Sequence, residues 1–259
     1  MSDIGTFPFG QPIKTVEQKD RAPKRVFVLG VYASAVHARW IGPDGEPRIR
    51  AVGVASEPEI FWTGDGAEEI VSAIEIPEGA GKLVAAPKNL NGPSGRALDD
   101  HFLKPLGLAR DDAWLCDLVP YSCINDSQAE ALRTSYELKA QEWGLPSFRW
   151  EPLPKVLADE KRRSQILKEI HEAQPELLLT LGDLPLKWFT RHFGSEDSLG
   201  DYGRTGTAYG RLHKIEIDGQ SLGLLPLVHP RQAAKLGGHS AGWSDLHGSW
   251  SNEVASSLL

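Results

Sequence analysis

Cysteine is scarce in this chain: two of 259 residues, Cys116 and Cys123. A structural zinc or iron–sulfur site needs about four ligands, so the pair cannot build one, and two reduced, buried thiols are expected. Long apolar runs are also missing. None approaches the roughly 20 residues of a membrane span, so no membrane partner is expected. The first fifteen residues, MSDIGTFPFGQPIKT, lack the basic start and apolar centre of a signal peptide, and a cytoplasmic protein is the expectation. Positive charge is in deficit too. Lys and Arg number 28 against 35 Asp and Glu, a net charge of −7. That argues against a protein coating nucleic acid by bulk attraction, though not against a local basic patch. Lys24 with Arg25, Arg204 with Arg211, and Arg231 with Lys235 are candidate components, or simply solvated surface.

What is present is ordinary globular composition, 41% hydrophobic and 24% charged. Residues 1–22 read as an extended N-terminal arm, and 23–259 as one domain. Four short apolar runs have the character of strands buried on both faces: 25–31 (RVFVLGV), 113–119 (AWLCDLV), 177–182 (LLLTLG) and 222–228 (LGLLPLV). Helical patterns at 95–106, 127–143, 157–173 and 183–193 separate them, and 241–259 is a further candidate helix. The alternation implies an α/β fold: a three-layer αβα arrangement around a mainly parallel four-stranded sheet. Residues 36–41 and 49–54 flank Gly42-Pro43-Asp44-Gly45 and form an inserted β-hairpin. A second antiparallel pairing is expected between 210–217 and 222–228, around Asp218-Gly219.

In an open parallel sheet, ligands bind beyond the carboxyl ends of the strands, where connections diverge. The segments leaving those ends are 30–37, 117–126, 182–184 and 229–235. They put Gly30, Val31, Tyr32, Asp117 and the His229-Pro230-Arg231 turn in the candidate pocket.

Several landmarks in this order resemble the uracil-DNA glycosylase superfamily. VFVLGVYASAVH matches a strand running into a glycine-start loop, where the family carries G-Q-D-P-Y-H or G-E-A-P-G. Asn91-Gly-Pro-Ser-Gly-Arg-Ala-Leu-Asp99 is similar to a shortened G-x-A-G-x-x-L-D helix start. AWLCDLVP lies where the family ends a strand in a base-reading Asn. PELLLTLGDLPLKWF is similar to its third strand and following helix, and LVHPRQAAKL to the strand-to-loop His-Pro motif. The resemblance runs from about residue 25 to the C-terminus. It implies DNA repair by base excision: a hydrolase acting on N-glycosyl bonds, with DNA or a nucleobase or nucleotide as partner and no cofactor.

Such a glycosidase must extrude a base, at a cost of a few kcal/mol, and stabilise it as a leaving anion. The resemblance gives the second task to His229 as catalytic residue, with Gly30, Val31, Tyr32, Asn91, Asp117 and Arg231 as substrate-binding candidates. A His satisfying a loop carbonyl is the alternative for His229. Leu236 or Lys235 could serve as the wedge that fills the gap left by the base.

The departures are as informative. No carboxylate or Asn follows Gly30 closely, so the usual water-activating group is missing. His37 and Asn125-Asp126 are the nearest polar substitutes, though hairpin and turn roles suit them better. Asp117 stands where Asn is expected. An ionised Asp only accepts, so it suits a guanine-like N–H/NH₂ edge; protonated, it pairs with cytosine's NH₂ and ring nitrogen. It could instead cap the turn before Pro120. Tyr32, Phe61 or Trp62 could supply a stacking ring.

Two other classes compete. One is a catalytically inactive nucleic-acid, nucleotide or protein-interaction module on the same fold, with the 36–54 hairpin, Trp40, Phe61 and Trp62 contacting a protein partner. The other is a metal hydrolase using His229, His239, Asp245 and His247, although those residues have no recognised ligand spacing.

Overall fold

The computed structural model describes residues 4–236 and 241–259. Its strands are β1 (Val26–Tyr32), β2 (Ala35–Ile41), β3 (Pro47–Ser56), β4 (Lys82–Ala85), β5 (Ala113–Val119), β6 (Leu177–Leu181), β7 (His213–Ile217) and β8 (Gln220–Leu227). The helices used below are α1 (Ala67–Ser72), α2 (Pro93–Leu98), α3 (Asp126–Ala131), α4 (Leu138–Ala140), α5 (Glu160–Ala173), α6 (Asp183–Trp188), α7 (Pro230–Ala233) and α8 (Ala241–Glu253). The content is mixed α/β, and no helix among the described residues is long and apolar enough to cross a membrane.

The chain divides into two compact units. The first gathers Met1–Val16, Tyr32–Pro93 and Pro120–Lys155; the second gathers Glu17–Val31, Ser94–Val119 and Val156–Leu259. The chain leaves the second unit just after Val31 and again just after Val119, at the ends of two strands.

The second unit is built on a mainly parallel sheet of order β5-β1-β6-β8-β7. β1 pairs parallel with β6, β6 parallel with β8, and β7 antiparallel with β8. The sheet therefore has five strands where the domain-level expectation was four. The additional strand is the 213–217 segment announced by the Asp218-Gly219 turn. β5, β6 and the first six residues of β1 are buried throughout, as apolar runs without alternation require.

Helix α5 begins at Asp159, whose carboxylate accepts the Arg162 N–H at 2.8 Å, and ends at Gln174 in the left-handed region before Pro175. Its buried face holds Ile166, Ile170 and Ala173, and with them Glu169. Glu169 accepts from Trp114 Nε1 of β5 at 3.0 Å and from Arg162 at 3.2 Å. The Arg162 guanidinium also donates to the carbonyls of Asp117 (2.7 Å) and Leu118 (3.2 Å) and to Cys116 Sγ (3.2 Å). Both cysteines are free and buried.

The first unit holds a three-stranded antiparallel sheet of order β3-β2-β4. The expected hairpin is present as β2–β3, and β4, which gave no sequence signal, extends it on the β2 side. Its core joins Trp40, Val54, Trp62, Tyr136 and Trp150 with Phe7, Phe9 and Ile13 from the first residues of the chain. Part of the segment expected to be an arm, from Phe7 to Ile13, thus contributes to this core. Phe7 lies edge-on to Trp150 at 4.9 Å, and the Phe9 N–H donates to the Tyr136 hydroxyl at 3.0 Å. In β3, a Cβ at Gly53 would sit 2.3 Å from Trp150, so only glycine admits that ring.

Arg162 and Glu169 leave only 13% and 10% of their side chains exposed, so removing one partner strands a buried charge. Arg162→Met is expected to lower unfolding free energy by about 3 kcal/mol or more. Urea denaturation followed by tryptophan fluorescence reads that loss directly.

Candidate functional site

Sheet order locates the diverging connections of the second unit. From β1 the chain goes on to β5 on one side, while β6 continues to β8 on the other, so the crevice rule points to the carboxyl ends of β1 and β6. β1 carries Gly30 near its end, and β6 runs straight into Gly182.

Strand alternation then sorts the side chains. Trp114 and Cys116 reach α5, so Asp117 points to the opposite face of β5. Phe27 stacks parallel to Trp114 at 6.4 Å, which puts Phe27 on the α5 face and Gly30 on the face of Asp117. Gly30 contributes no side chain there. Asp117 is 3% exposed, and its carboxyl makes no hydrogen bond among the described residues. Burial pushes its pKa up to about 7, helped by Glu169 and opposed by Arg162. Near neutral pH the side chain is shared between acid and carboxylate.

His229 follows β8 and caps α7. Its Nδ1 accepts the Arg231 N–H at 3.2 Å, and its own N–H donates to Gln232 Oε1 at 3.3 Å. Burial, and secondarily the Arg231 charge, lower its pKa to about 4, so the ring is neutral. With Nδ1 serving as acceptor, the proton resides on Nε2, which has no partner among the described residues. Gly182 lies against the His229 backbone: its φ is +85°, and a Cβ there would lie 3.5 Å from His229 Cβ.

Gly30, Asp117, His229 and Arg231 thus all lie at strand ends of the second unit. Arg231 is exposed and donates to the Leu236 carbonyl at 3.4 Å. Val31 is buried. Tyr32 and Asn91 belong to the first unit. Tyr32 is 43% exposed, whereas Asn91 is 1% exposed and works as a backbone staple. Its Oδ1 accepts the His37 N–H at 2.7 Å, and its Nδ2 donates to the carbonyls of His37 and Ala86. Gly92 follows because a Cβ there would meet the Thr63 carbonyl carbon at 2.1 Å.

Several alternatives resolve structurally. Asn125 caps α3, sharing reciprocal bonds with Gln128, and Gln128 Nε2 lies 3.1 Å from His37 Nε2. Trp40, Phe61 and Trp62 are all buried, so these rings are core rather than interface. Of the basic candidates, Lys24 pairs with Asp20 and Lys235 with Asp245, while Arg204 lies 5.6 Å over Trp243. Leu236 is half-buried and Lys235 exposed. No group of three metal-ligating side chains occurs among the described residues, and His239 lies outside them.

Two features escaped the sequence reading. In the first unit Glu57, 5% exposed, accepts the Ser34 N–H at 2.9 Å, while Ser122 Oγ donates to the Ser34 carbonyl. A carboxylate is therefore bound to the loop leaving β1, but it comes from 23 residues downstream of Ser34, beyond any local motif. In the second unit Tyr209 and His247 form a buried polar pair at 2.7 Å. Burial raises the Tyr209 pKa and lowers that of His247 to about 4.

No model of a known protein family matches the chain, and a search among curated proteins finds none that matches it.

The acid–base groups give a signed expectation. His229 and His247 bind fewer protons folded than unfolded between pH 6.5 and about 4, so their contribution to stability falls as pH drops through that window. Asp117 binds more protons folded than unfolded between 3.8 and about 7, so its contribution falls as pH rises. From pH 6.5 down to 5, Asp117 therefore offsets part of the histidine loss. Asp117→Asn is expected to steepen the fall in urea midpoint over that interval, and an unchanged slope would refute the buried acid.

Proposed function

We propose that the second unit is a divergent member of the uracil-DNA glycosylase superfamily that binds a nucleobase, in DNA or free, at the carboxyl ends of β5, β1, β6 and β8. The proposal takes the sheet as the middle of three αβα layers. The observation that carries it is the state of His229: a neutral imidazole with Nδ1 engaged and an unpartnered Nε2–H donor. A neutral donor of this kind supports the anion of a departing base without having to lose a proton first. Removing one such donor typically costs about 3–4 kcal/mol of transition-state stabilisation.

Asp117 gives the site its second recognition element. Its carboxyl stands without a hydrogen bond on the sheet face that Gly30 leaves bare. In the acid form it offers one donor and one acceptor, which fits cytosine's N–H and ring nitrogen and equally uracil's N–H and carbonyl. As carboxylate it accepts twice and fits the N–H/NH₂ edge of guanine-like bases. Base preference should therefore turn from the first set to the second as pH rises through about 7.

A binding module without turnover is the second reading. It is favoured by Gly30 and Val31, which bring no water-handling group to the end of β1. Excision on oligonucleotides carrying uracil, hypoxanthine, xanthine or mismatched cytosine, scored by alkaline cleavage, separates the two. Cleavage of one substrate is expected, with His229→Ala lowering its rate about 100-fold or more. Asp117→Asn should raise uracil preference and abolish its pH dependence. Affinity for free bases without cleavage would leave the binding module.

A further inference from the structure

The peptide that leads from β8 into His229 is held by a buried relay that no sequence motif announced. Val228 is the first residue beyond β8, and the last ladder bond beside it is the Gly182 N–H to the Leu227 carbonyl at 2.8 Å. The Val228 N–H donates instead to the Tyr209 hydroxyl at 3.1 Å. Tyr209 Oη lies 2.7 Å from His247 Nδ1, and His247 Nε2 lies 2.9 Å from the His101 carbonyl.

A carbonyl oxygen only accepts, so His247 must carry its proton on Nε2 and accept at Nδ1. Tyr209 must then donate to His247, which turns its lone pairs toward the Val228 N–H. Donation runs one way, from Val228 through Tyr209 and His247 to His101, and each bond polarises the next. Tyr209 and His247 are 2% and 1% exposed. An apolar pair of similar shape would be energetically competitive here, since a buried hydrogen bond contributes little net once desolvation is counted. Shape alone does not call for this relay.

What it delivers is orientation. His229 is clasped by Arg231 and Gln232 on its C-terminal side and backed by Gly182. On its N-terminal side the Leu227–Val228 peptide, one before the link to His229, is held at both ends, its carbonyl by the Gly182 N–H and its N–H by Tyr209. We propose that Tyr209 and His247 are positioning residues for His229, fixing the Leu227–Val228 peptide that leads into it so that the Nε2–H points into the strand-end site. The inference rests on His229 being the ligand-facing donor, as read above.

The test uses full-length protein with ¹⁵N-labelled histidine. Long-range proton–nitrogen correlations report the tautomer and ordering of His229 without any substrate. The wild type is expected to show one Nε2–H tautomer. In Tyr209→Phe, which keeps the ring and removes the hydroxyl, the His229 nitrogens should move toward tautomer averaging and the ring's pKa back toward 6.5. His247→Gln keeps an acceptor for Tyr209 and a donor for His101, and should retain the wild-type pattern; it also serves should Tyr209→Phe fail to fold, beside His247→Leu, which should lose the pattern. Trp250→Phe removes the indole bond to the Gly210 carbonyl, 3.0 Å in the same region, but spares the relay, and should leave His229 unchanged.

Wild-type His229 signals in Tyr209→Phe would overturn the proposal, as would equal disturbance by Trp250→Phe. If excision is detected, Tyr209→Phe should lower its rate about tenfold or more, since misplacement of about 1 Å at a reacting group is costly. Absence of excision in the wild type would sink the glycosylase reading, while the histidine spectra would still decide the relay.

Discussion

The second unit turns on one guanidinium. Arg162 sits in the first turn of α5 and spends its donors on the last strand residues of β5 and on Glu169. A buried ion pair is seldom worth much against apolar packing of equal volume. Its consequence here is positional, because a planar fork of donors fixes the helix against three consecutive residues of one strand. Those residues include Asp117, whose backbone carbonyl is bound while its side chain faces away. The same pair also sets the local electrostatics: Arg162 draws the Asp117 pKa down, Glu169 and burial push it up, and burial wins. Fold and site acidity therefore share a single contact.

The sequence made most of the sheet of the second unit legible because β5, β6, nearly all of β1 and the second half of β8 are buried on both faces and read as apolar runs. The hairpin and the β7–β8 turn were legible because Gly and Asp mark them. β4 was not, since KLVA is only four residues long and its pairing with β2 is non-local. Nor was the packing of residues 4–16. Their Gly and Pro content resembles an arm, but Phe7 and Phe9 pack on Trp150 and Tyr136, rings more than 100 residues away.

The site was partly legible for similar reasons. His229 and Asp117 could be singled out as candidates because strand-end topology and the resemblance both point to their positions. Their protonation states could not, because these depend on burial and on Arg162, Glu169 and Arg231. Asn91 was a candidate only through the resemblance of 91–99 to a glycine-rich helix start, and no sequence signal showed that its amide clamps the His37 and Ala86 backbone. Glu57 and Tyr209 were invisible because each acts on a peptide distant in sequence, and no spacing rule connects them to it.

Hydrogen-bond accounting separates these residues more sharply than burial does. Asn91, Tyr209, His247 and Glu169 are all buried polar side chains with protein partners, which is the usual condition of such groups. Asp117 departs from it at 3% exposure, with a carboxyl that takes no hydrogen bond among the described residues. His229 departs at one nitrogen only, the one opposite its capping bond. They are not alone among the described residues: Thr180 Oγ1 of β6, Arg48 Nε and His213 Nε2 are buried without a hydrogen-bond partner. What sets Asp117 and His229 apart is position, on β5 and just beyond β8, two strands separated in the sheet by β1 and β6. The relay through Tyr209 and His247 adds two polar groups with all their partners inside the chain, joined to the backbone one residue before His229.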